Sequence, residues 1–376
     1  MRMGWMVRVL AGVLFGMGMV GLAQGTGVPN AVGQKGPVRV AVVGLVHDHA
    51  LGLFGALKAN KDVVLVGVAE ANKELVARYE KRFGLDAGLF YGELGRMLEA
   101  TKPDAVLVYT SIADHRKVIE AAAERGIAAM VEKPLATTVA DAEAIAATAR
   151  KHHVAVVVNY ETTWYASNAE AIRMARAGRL GEIRRVVVHD GHEGPKEIGV
   201  SGEFLGWLTD PEANGGGSLF DFGCYGADLM TVLMGGAVPE SVTAVTMTDK
   251  PGIYPKVDDD ATVIVRYQGA QAVLQPSWNW PFSRKDMEVY GATGYAVTEA
   301  QSGLRVRLAG EAGERRVEAP ALAGTDRDSL DYLVGVLRGE VKSEGDLGAL
   351  DTNVVVVKIL AAARESARTG RTVGVR

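Results

Sequence analysis

A single cysteine, Cys224, stands in a chain of 376 residues. No intramolecular disulfide can form, so the fold must stand on its packed core. A surplus of basic charge is missing too. Against 45 Asp and Glu there are 41 Lys and Arg, a formal charge of -4. That leaves no field to hold a phosphate backbone and excludes nucleic acid as an expected partner. Long apolar runs are absent except for residues 9–23, which fall short of the ~20 residues of a membrane span. Arg2 and Arg8 are the only charges around that run, and the small residues Gly21 and Ala23 close it. This pattern reads as a secretory signal peptide over residues 1–23, with a flexible linker over 24–36. No cysteine lies near for lipid attachment, and no Arg-Arg pair signals export of a prefolded protein. The expected location is therefore periplasmic or secreted, with no stable membrane insertion once the leader is removed. An uncleaved anchor is the alternative.

What is there after residue 36 suggests two domains, at ~100–200 residues each. Short β-branched runs occur at 38–43, 63–69, 105–109, 128–131 and 154–158. Such runs are typical of parallel strands buried on both faces. Helical stretches lie between them. Asp114 is placed to cap a helix over 115–125 that Gly126 stops, and Thr138-x-x-Asp141 resembles a capping box. The alternation predicts an α/β, Rossmann-like doubly wound parallel sheet over 37–158.

Glycine is scarce where a dinucleotide fold wants it. The turn after the first strand is Gly44-Leu45-Val46-His47-Asp48-His49. Of the Gly-x-Gly-x-x-Gly fingerprint only Gly44 remains, with Val46 and His49 at the other glycine positions. The acidic residue that accepts from ribose hydroxyls is present as Glu70, at the end of the second strand. Its charge would repel a 2′-phosphate, which favours NAD over NADP. Two triplets invite a metal, His47-Asp48-His49 and His189-Asp190 with His192. Neighbouring residues on a turn or strand rarely converge on one ion, so no metal is expected.

Beyond residue 158 the pattern changes. Short strands at 184–190, 241–247, 261–267, 270–276, 287–291, 294–298 and 304–308 follow a helix at 168–177. They predict an α+β domain over 159–352 with an open, mainly antiparallel sheet. Its uncovered face implies a homo-oligomer, a dimer or tetramer. A last helix over 353–369, stopped by Gly370, is expected to pack back on the first domain.

From about Val38 onward the chain resembles the family of glucose–fructose oxidoreductase, inositol dehydrogenase and the rhizopine-catabolism proteins (Gfo/Idh/MocA). Glu132-Lys133-Pro134-Leu135 at a strand end carries the resemblance most specifically. His115, Gly178-Arg179-Leu180-Gly181-Glu182 and Gly215-Gly216-Gly217-Ser218-Leu219-Phe220-Asp221-Phe222-Gly223-Cys224-Tyr225-Gly226-Ala227-Asp228 agree, in the family's order. Departures are the glycine-poor turn and residues 159–165, where many members carry an arginine and a proline. The resemblance implies an NAD(P)-dependent oxidoreductase acting on a CH–OH group of a sugar or polyol. Gly44, Val46, His47, His49, Glu70, Thr110, His115, Glu132 and Lys133 would then bind the cofactor, and Lys133 would contact the reacting hydroxyl. Tyr225 stands where most members carry a catalytic histidine.

Oxidising a hydroxyl needs a hydride acceptor and a base. Lys133, Asp221 and Tyr225 are the catalytic candidates. Partial burial near a cationic nicotinamide would lower the pKa of Lys133. At i, i+4 and i+7, Asp221, Tyr225 and Asp228 should share one helix face. Sugars stack their C–H faces on aromatic rings and offer hydroxyls to polar edges, so Tyr160, Trp164, His192, Asp228, Trp278 and Trp280 are substrate candidates. Export favours a cofactor that stays bound. Two other readings fit the same residues: a glycoside hydrolase that works through transient oxidation by bound NAD, and a non-catalytic exported sugar-binding protein, suggested by Val46 and His49.

Overall fold

The computed structural model describes residues 36–376; the expected leader lies outside them. Six strands form the first sheet: β1 (Val38–Val43), β2 (Val63–Ala69), β3 (Phe90–Tyr91), β4 (Ala105–Val108), β5 (Ala128–Glu132) and β6 (Val156–Asn159). Their order is β3-β2-β1-β4-β5-β6, with every pair parallel. The chain winds outward from β1 in both directions. A crevice therefore opens where the order reverses, at the carboxyl ends of β1 and β4. β4 and β5 are buried along their whole length, as unbroken apolar runs require. β3 has only two residues, too few to show a period in sequence.

Helices cover both faces. The helix Val139–His152 starts as expected, with Thr138 Oγ1 accepting from the Asp141 N–H. Asp114 does not cap the helix His115–Ala123; it lies in the helical region itself, and its carboxylate accepts from Ser111 Oγ instead.

The second sheet has nine strands: β7 (Ile183–Gly191), β8 (Ser241–Met247), β9 (Asp260–Arg266), β10 (Gln271–Ser277), β11 (Arg284–Gly291), β12 (Gly294–Glu299), β13 (Gly303–Leu308), β14 (Arg315–Glu318) and β15 (Val373–Gly374). The order is β14-β13-β12-β11-β7-β10-β9-β8-β15. Only β7 and β10 run parallel. The helices Gly223–Leu233 and Leu350–Thr369 cover one face. On the other face Val245, Met247 and Ile264 are exposed.

The helix Leu350–Thr369 does more than pack back on the first sheet. It touches the helix Val139–His152 on one side, and β8 and the helix Gly223–Leu233 on the other. One apolar core accordingly runs from the first sheet into the second. A separate core fills the far face of the first sheet. Leu330, Leu333 and Leu337, from the helix Ser329–Arg338, join Val38, Val40 and Leu107 there. That helix falls within 159–352, the stretch expected to belong to the second domain, yet its apolar face completes the first.

Candidate active site

β5 delivers Glu132 and Lys133 to the carboxyl edge of the first sheet, and the Lys133–Pro134 peptide is cis. Asp221 arrives from the second unit. At Gly217 an added Cβ would lie 1.8 Å from the Asp258 carbonyl oxygen, so only glycine lets the two chains cross. The Asp258 carboxylate then accepts from the N–H groups of Gly217 (2.9 Å) and Leu219 (2.7 Å) and from Ser218 Oγ (3.0 Å). This tether starts the short helix Ser218–Asp221 and sets Asp221 opposite Lys133.

Lys133 Nζ donates to Asp221 Oδ1 at 2.6 Å and to the Asp221 carbonyl at 2.9 Å. Trp278 Nε1 donates to the other carboxylate oxygen at 2.9 Å. Lys133 and Asp221 are both buried. Burial is the largest influence on the Lys133 ammonium and penalises it, but the charge and hydrogen bond of Asp221, with Cys224 and Glu132, together outweigh it and the pKa rises. Burial likewise pushes Asp221 up, and Lys133, with the hydrogen bonds it receives, brings it below the usual carboxylate range. The protein groups alone thus move the lysine pKa the opposite way from the lowering expected beside a cationic nicotinamide, because the charges around it together win over desolvation.

Tyr225 packs edge-on to Tyr160 and stacked on Phe222. Lys133 Nζ stands 5.0 Å from the Tyr225 ring centre and 5.6 Å from that of Phe222. Burial holds the phenol well above its ordinary pKa, so it is neutral at physiological pH. A single turn residue, Phe222, whose backbone stays in the helical region, separates Ser218–Asp221 from Gly223–Leu233, so the stretch expected as one helix is two, with Tyr225 and Asp228 together on the second. Asp228 is buried, with Oδ1 unpartnered, and burial pushes its pKa well up. It takes no part in the site.

The crevice at β1 can be tested as a dinucleotide site. Gly44 has φ +81°, and a Cβ there would come within 2.7 Å of Thr110 Cγ2 and 2.9 Å of the Thr110 N–H nitrogen. Thr110 thus closes the β1 turn from below. Glu70 Oε2 accepts from the Leu45 N–H at 2.9 Å and Oε1 from the Asn72 N–H at 2.8 Å. Its carboxylate is fixed where β2 ends. His47 is buried, and its ring lies 4.5 Å from Phe204 and 5.4 Å from Trp207. It packs beneath the helix Gly202–Leu208, which carries both of those rings. Trp207 Nε1 donates to the Val46 carbonyl at 3.2 Å, and Asp48 Oδ2 accepts from the Ser201 N–H at 2.7 Å. The helix His49–Ala59 has no cap from Asp48, but its first N–H groups are taken: His49 N–H donates to His47 Nδ1 at 3.2 Å, and those of Ala50 and Leu51 to the His47 and Asp48 carbonyls. Its dipole still points a positive end at the turn. The retained glycine, the ribose-side carboxylate and this helix start fit a dinucleotide despite the two missing glycines.

His49 Nδ1 meets Glu132 Oε2 at 3.0 Å, and Asn159 Nδ2 donates to Glu132 Oε1 at 2.8 Å. Donor atoms of His47, His49 and Glu132 lie within 4.8 Å of one another. The expectation that the two turn imidazoles would not converge is therefore corrected. The second triplet does not gather: His189 pairs with Asp286, and the His192 Nδ1 accepts from the Gly194 N–H.

Several other expectations change. His115 is buried, its Nδ1 bonds the Leu135 carbonyl at 3.2 Å, and burial pushes its pKa down to about 4. It braces the segment after Lys133 from beneath. Tyr160 is buried, with its hydroxyl on Asn353 Oδ1 at 2.6 Å, so it cannot stack on a sugar. Trp278 is fully buried against Tyr254 and positions Asp221. Trp164 bonds Asn159 Oδ1 and packs edge-on to Tyr332. His192 is half-buried and edge-on to Phe222, and burial lowers its pKa, so the ring is neutral. It remains beside the Lys133–Asp221 pair. Phe204, Trp207, Glu161, Asp190 and Lys285 were not assigned from sequence. Trp207 sits in an aromatic pair three residues apart on a helix, a signal that also marks ordinary core.

Comparison with known proteins agrees with this geometry. Residues 38–160 match the oxidoreductase family, NAD-binding Rossmann fold, and residues 168–297 match the GFO/IDH/MocA C-terminal domain. The chain belongs to the Gfo/Idh/MocA family. It is 29% identical over 178 residues to trans-1,2-dihydrobenzene-1,2-diol dehydrogenase of Xenopus tropicalis, covering 46% of this chain and 50% of that one. To D-apiose dehydrogenase of Paraburkholderia graminis it is 31% identical over 117 residues, 31% of each chain. The chain thus spans about half the length, or less, of these curated relatives. The solved aldose-aldose oxidoreductase of Caulobacter crescentus, complexed with glycerol, matches with a TM-score of 0.76 at 26% identity, over 90% of this chain and 99% of that one. An inositol dehydrogenase homolog from Azotobacter vinelandii complexed with NAD+ shares the fold, with a TM-score of 0.76 at 21% identity over 92% and 99%.

Proposed function

We propose that the protein is an oxidoreductase that transfers a hydride between a sugar or polyol hydroxyl and NAD. The buried Lys133–Asp221 pair carries this reading. It stands beside the crevice at the carboxyl edge of the first sheet and joins the two units. A bound nicotinamide supplies the hydride acceptor. Gly44, Val46, Glu70, Thr110 and the start of the helix His49–Ala59 would hold the dinucleotide. Glu70, with a carboxylate fixed at the end of β2, favours NAD over NADP.

The rest of the chemistry belongs to this chain. Lys133 Nζ holds a proton at neutral pH, because Asp221 raises its pKa. In the reducing direction it donates that proton to the carbonyl oxygen. In the oxidising direction it must first lose it, and then accepts the hydroxyl proton. Asp221 orients the ammonium, and Trp278 orients Asp221. Phe222 and Tyr225 wall the ammonium with aromatic rings and limit water around it.

Export and self-association complete the proposal. The basic, apolar and small-residue pattern of residues 1–23 supports export, and the bare face around Val245, Met247 and Ile264 supports a homo-oligomer. The direct test is release of small molecules from denatured, purified protein, read by mass spectrometry, followed by NAD and NADP titration. Stoichiometric NAD(H), or tight uptake of added NAD, is expected. A protein that carries none and takes up neither cofactor would contradict the proposal and favour a sugar-binding role. Turnover of glycosides but not free sugars by NAD-loaded protein would point to the hydrolase instead.

A further inference from the structure

A second lysine faces the rings that carry Lys133. Lys285 Nζ lies 5.5 Å from the Tyr225 ring centre and 5.9 Å from that of Phe222. In the β7–β11 register Lys285 is directly opposite Asp190. Asp190 is buried, and its Oδ2 has no hydrogen-bond partner. Glu161, from the turn after β6, pairs with Lys285 through Oε2 and accepts from the Tyr165 hydroxyl at 2.6 Å. An ammonium and two carboxyl groups from three separate stretches of chain thus meet beside the Lys133–Asp221 pair. Proton transfer to Lys133 uses none of them.

The charges around this space cancel. Lys133 is held by Asp221, and Lys285 by Glu161. Burial pushes the Asp190 carboxyl well up, which favours its protonated, donating form. His192 is neutral for the same reason, burial acting in the opposite sense on a base. Among the described residues around this space, each lysine is paired with a carboxylate, which leaves none of them for an anionic ligand. A carboxylate would have to displace Glu161 or Asp221 from its lysine. A hydroxyl both donates and accepts, so it can bridge Lys285 and Glu161 without breaking the pair. A buried, unpartnered oxygen such as Asp190 Oδ2 calls for a polar group to meet it.

We propose that Lys285, Glu161 and Asp190 form the specificity face of the site, which accepts adjacent hydroxyls of an uncharged sugar or polyol and rejects sugar acids. This rests on the oxidoreductase reading above and narrows its substrate class. Glu161 is the residue that sets the sign, because it neutralises Lys285.

The test is calorimetric titration of NAD-loaded protein with D-glucose, D-xylose and myo-inositol, and with D-gluconate and D-glucuronate. At least one neutral probe should bind, and the acids about tenfold or more weaker, a difference of about 1.4 kcal/mol. Glu161→Gln frees the Lys285 charge and should shift the ratio toward the acids by a similar factor, about tenfold. Glu161→Asp should keep the wild-type preference, and Glu161→Gln combined with Lys285→Met should reject acids again. Three results would overturn the proposal: acids that bind the wild type as tightly as neutral probes, an equal loss for both classes in Glu161→Gln, or NAD-loaded protein that binds no neutral probe. Failure to bind NAD at all would remove the oxidoreductase reading and this proposal with it. Normal sugar turnover with an unmoved ratio would remove this proposal alone.

Discussion

Breaking the Lys133–Asp221 pair from either side should destabilise the fold, and breaking it from both sides should not double the loss. The pair is 2.6 Å long and buried, and it ties the strand end of the first sheet to the helix start above the second. Asp221→Asn leaves the Lys133 ammonium without its counter-charge, although the carbonyl of residue 221 still accepts from it. Lys133→Met leaves the Asp221 carboxylate with Trp278 Nε1 as its remaining donor among the bonds described above. Removing one member of a buried pair costs about 3–5 kcal/mol, because the other charge stays desolvated. The double variant leaves neither charge buried alone, so its loss should fall short of the sum of the singles by a coupling of roughly 2–3 kcal/mol or more.

The sign with pH follows from the shifts. Asp221 lies below its ordinary 3.8, so its contribution is present above that value and fades as pH falls through its folded pKa. Lys133 lies above its ordinary 10.5, so its contribution is present below that value and fades as pH rises through its folded pKa. The penalty of either single change should therefore be full between about pH 5 and pH 10 and shrink outside that window. Urea unfolding of cofactor-free protein reads this as shifted midpoints at constant slope. Single variants within about 0.5 kcal/mol of the wild type, or a double variant equal to the sum, would refute the reasoning.

Other consequences are open to measurement. Sugar oxidation should accelerate with rising pH, because Lys133 must lose its proton to act as base. Asp221→Asn should move that rise to lower pH, since burial alone then acts on the lysine; a profile that stays in place would count against the role of Asp221. Gly44→Ala should weaken NAD binding and lower stability by about 1–3 kcal/mol, because its φ is left-handed and Thr110 blocks the Cβ. Normal NAD affinity in this variant would show that the turn is not the dinucleotide site. Glu70→Ala should weaken NAD more than NADP in a fluorescence titration; equal losses would deny it a ribose contact. Trp207→Ala removes the indole that bonds the Val46 carbonyl and covers His47, and should raise the dissociation constant for NAD, with unchanged binding arguing for mere packing.

Most of the fold could be read because its signals are local. The runs Val38–Val43 and Ala105–Val108 announce buried parallel strands by themselves, and Gly370 ends the last helix where expected. Strand pairing could not be read, because it joins residues far apart. Nothing in sequence says that Lys285 lies opposite Asp190, or that Glu161 reaches Lys285. That the helix Ser329–Arg338, inside the stretch 159–352, completes the first core could not be read for the same reason: its apolar stripe is visible, but not which sheet it covers. Lys133, Asp221 and Tyr225 were found through motifs. Their environments were not, and that is where expectation failed. Burial set Asp228 apart from the site and turned Tyr160 and Trp278 from sugar contacts into supports. Val46 and His49 looked like substitutes that would spoil a glycine-rich turn. The helix Gly202–Leu208, distant in sequence, holds the Val46 carbonyl through Trp207 Nε1, and Glu132 holds His49.

The most direct test of the central claim compares wild type and Lys133→Ala, each saturated with NAD, for reduction of the nicotinamide by a panel of neutral sugars and polyols. The account predicts that at least one compound reduces the cofactor on the wild type. Lys133→Ala should bind NAD nearly as tightly and lose roughly a hundredfold to ten-thousandfold in rate, the span of a positioned acid–base group. A wild type that binds NAD yet reduces it with none of the panel, or a Lys133→Ala variant that turns over normally, would contradict it.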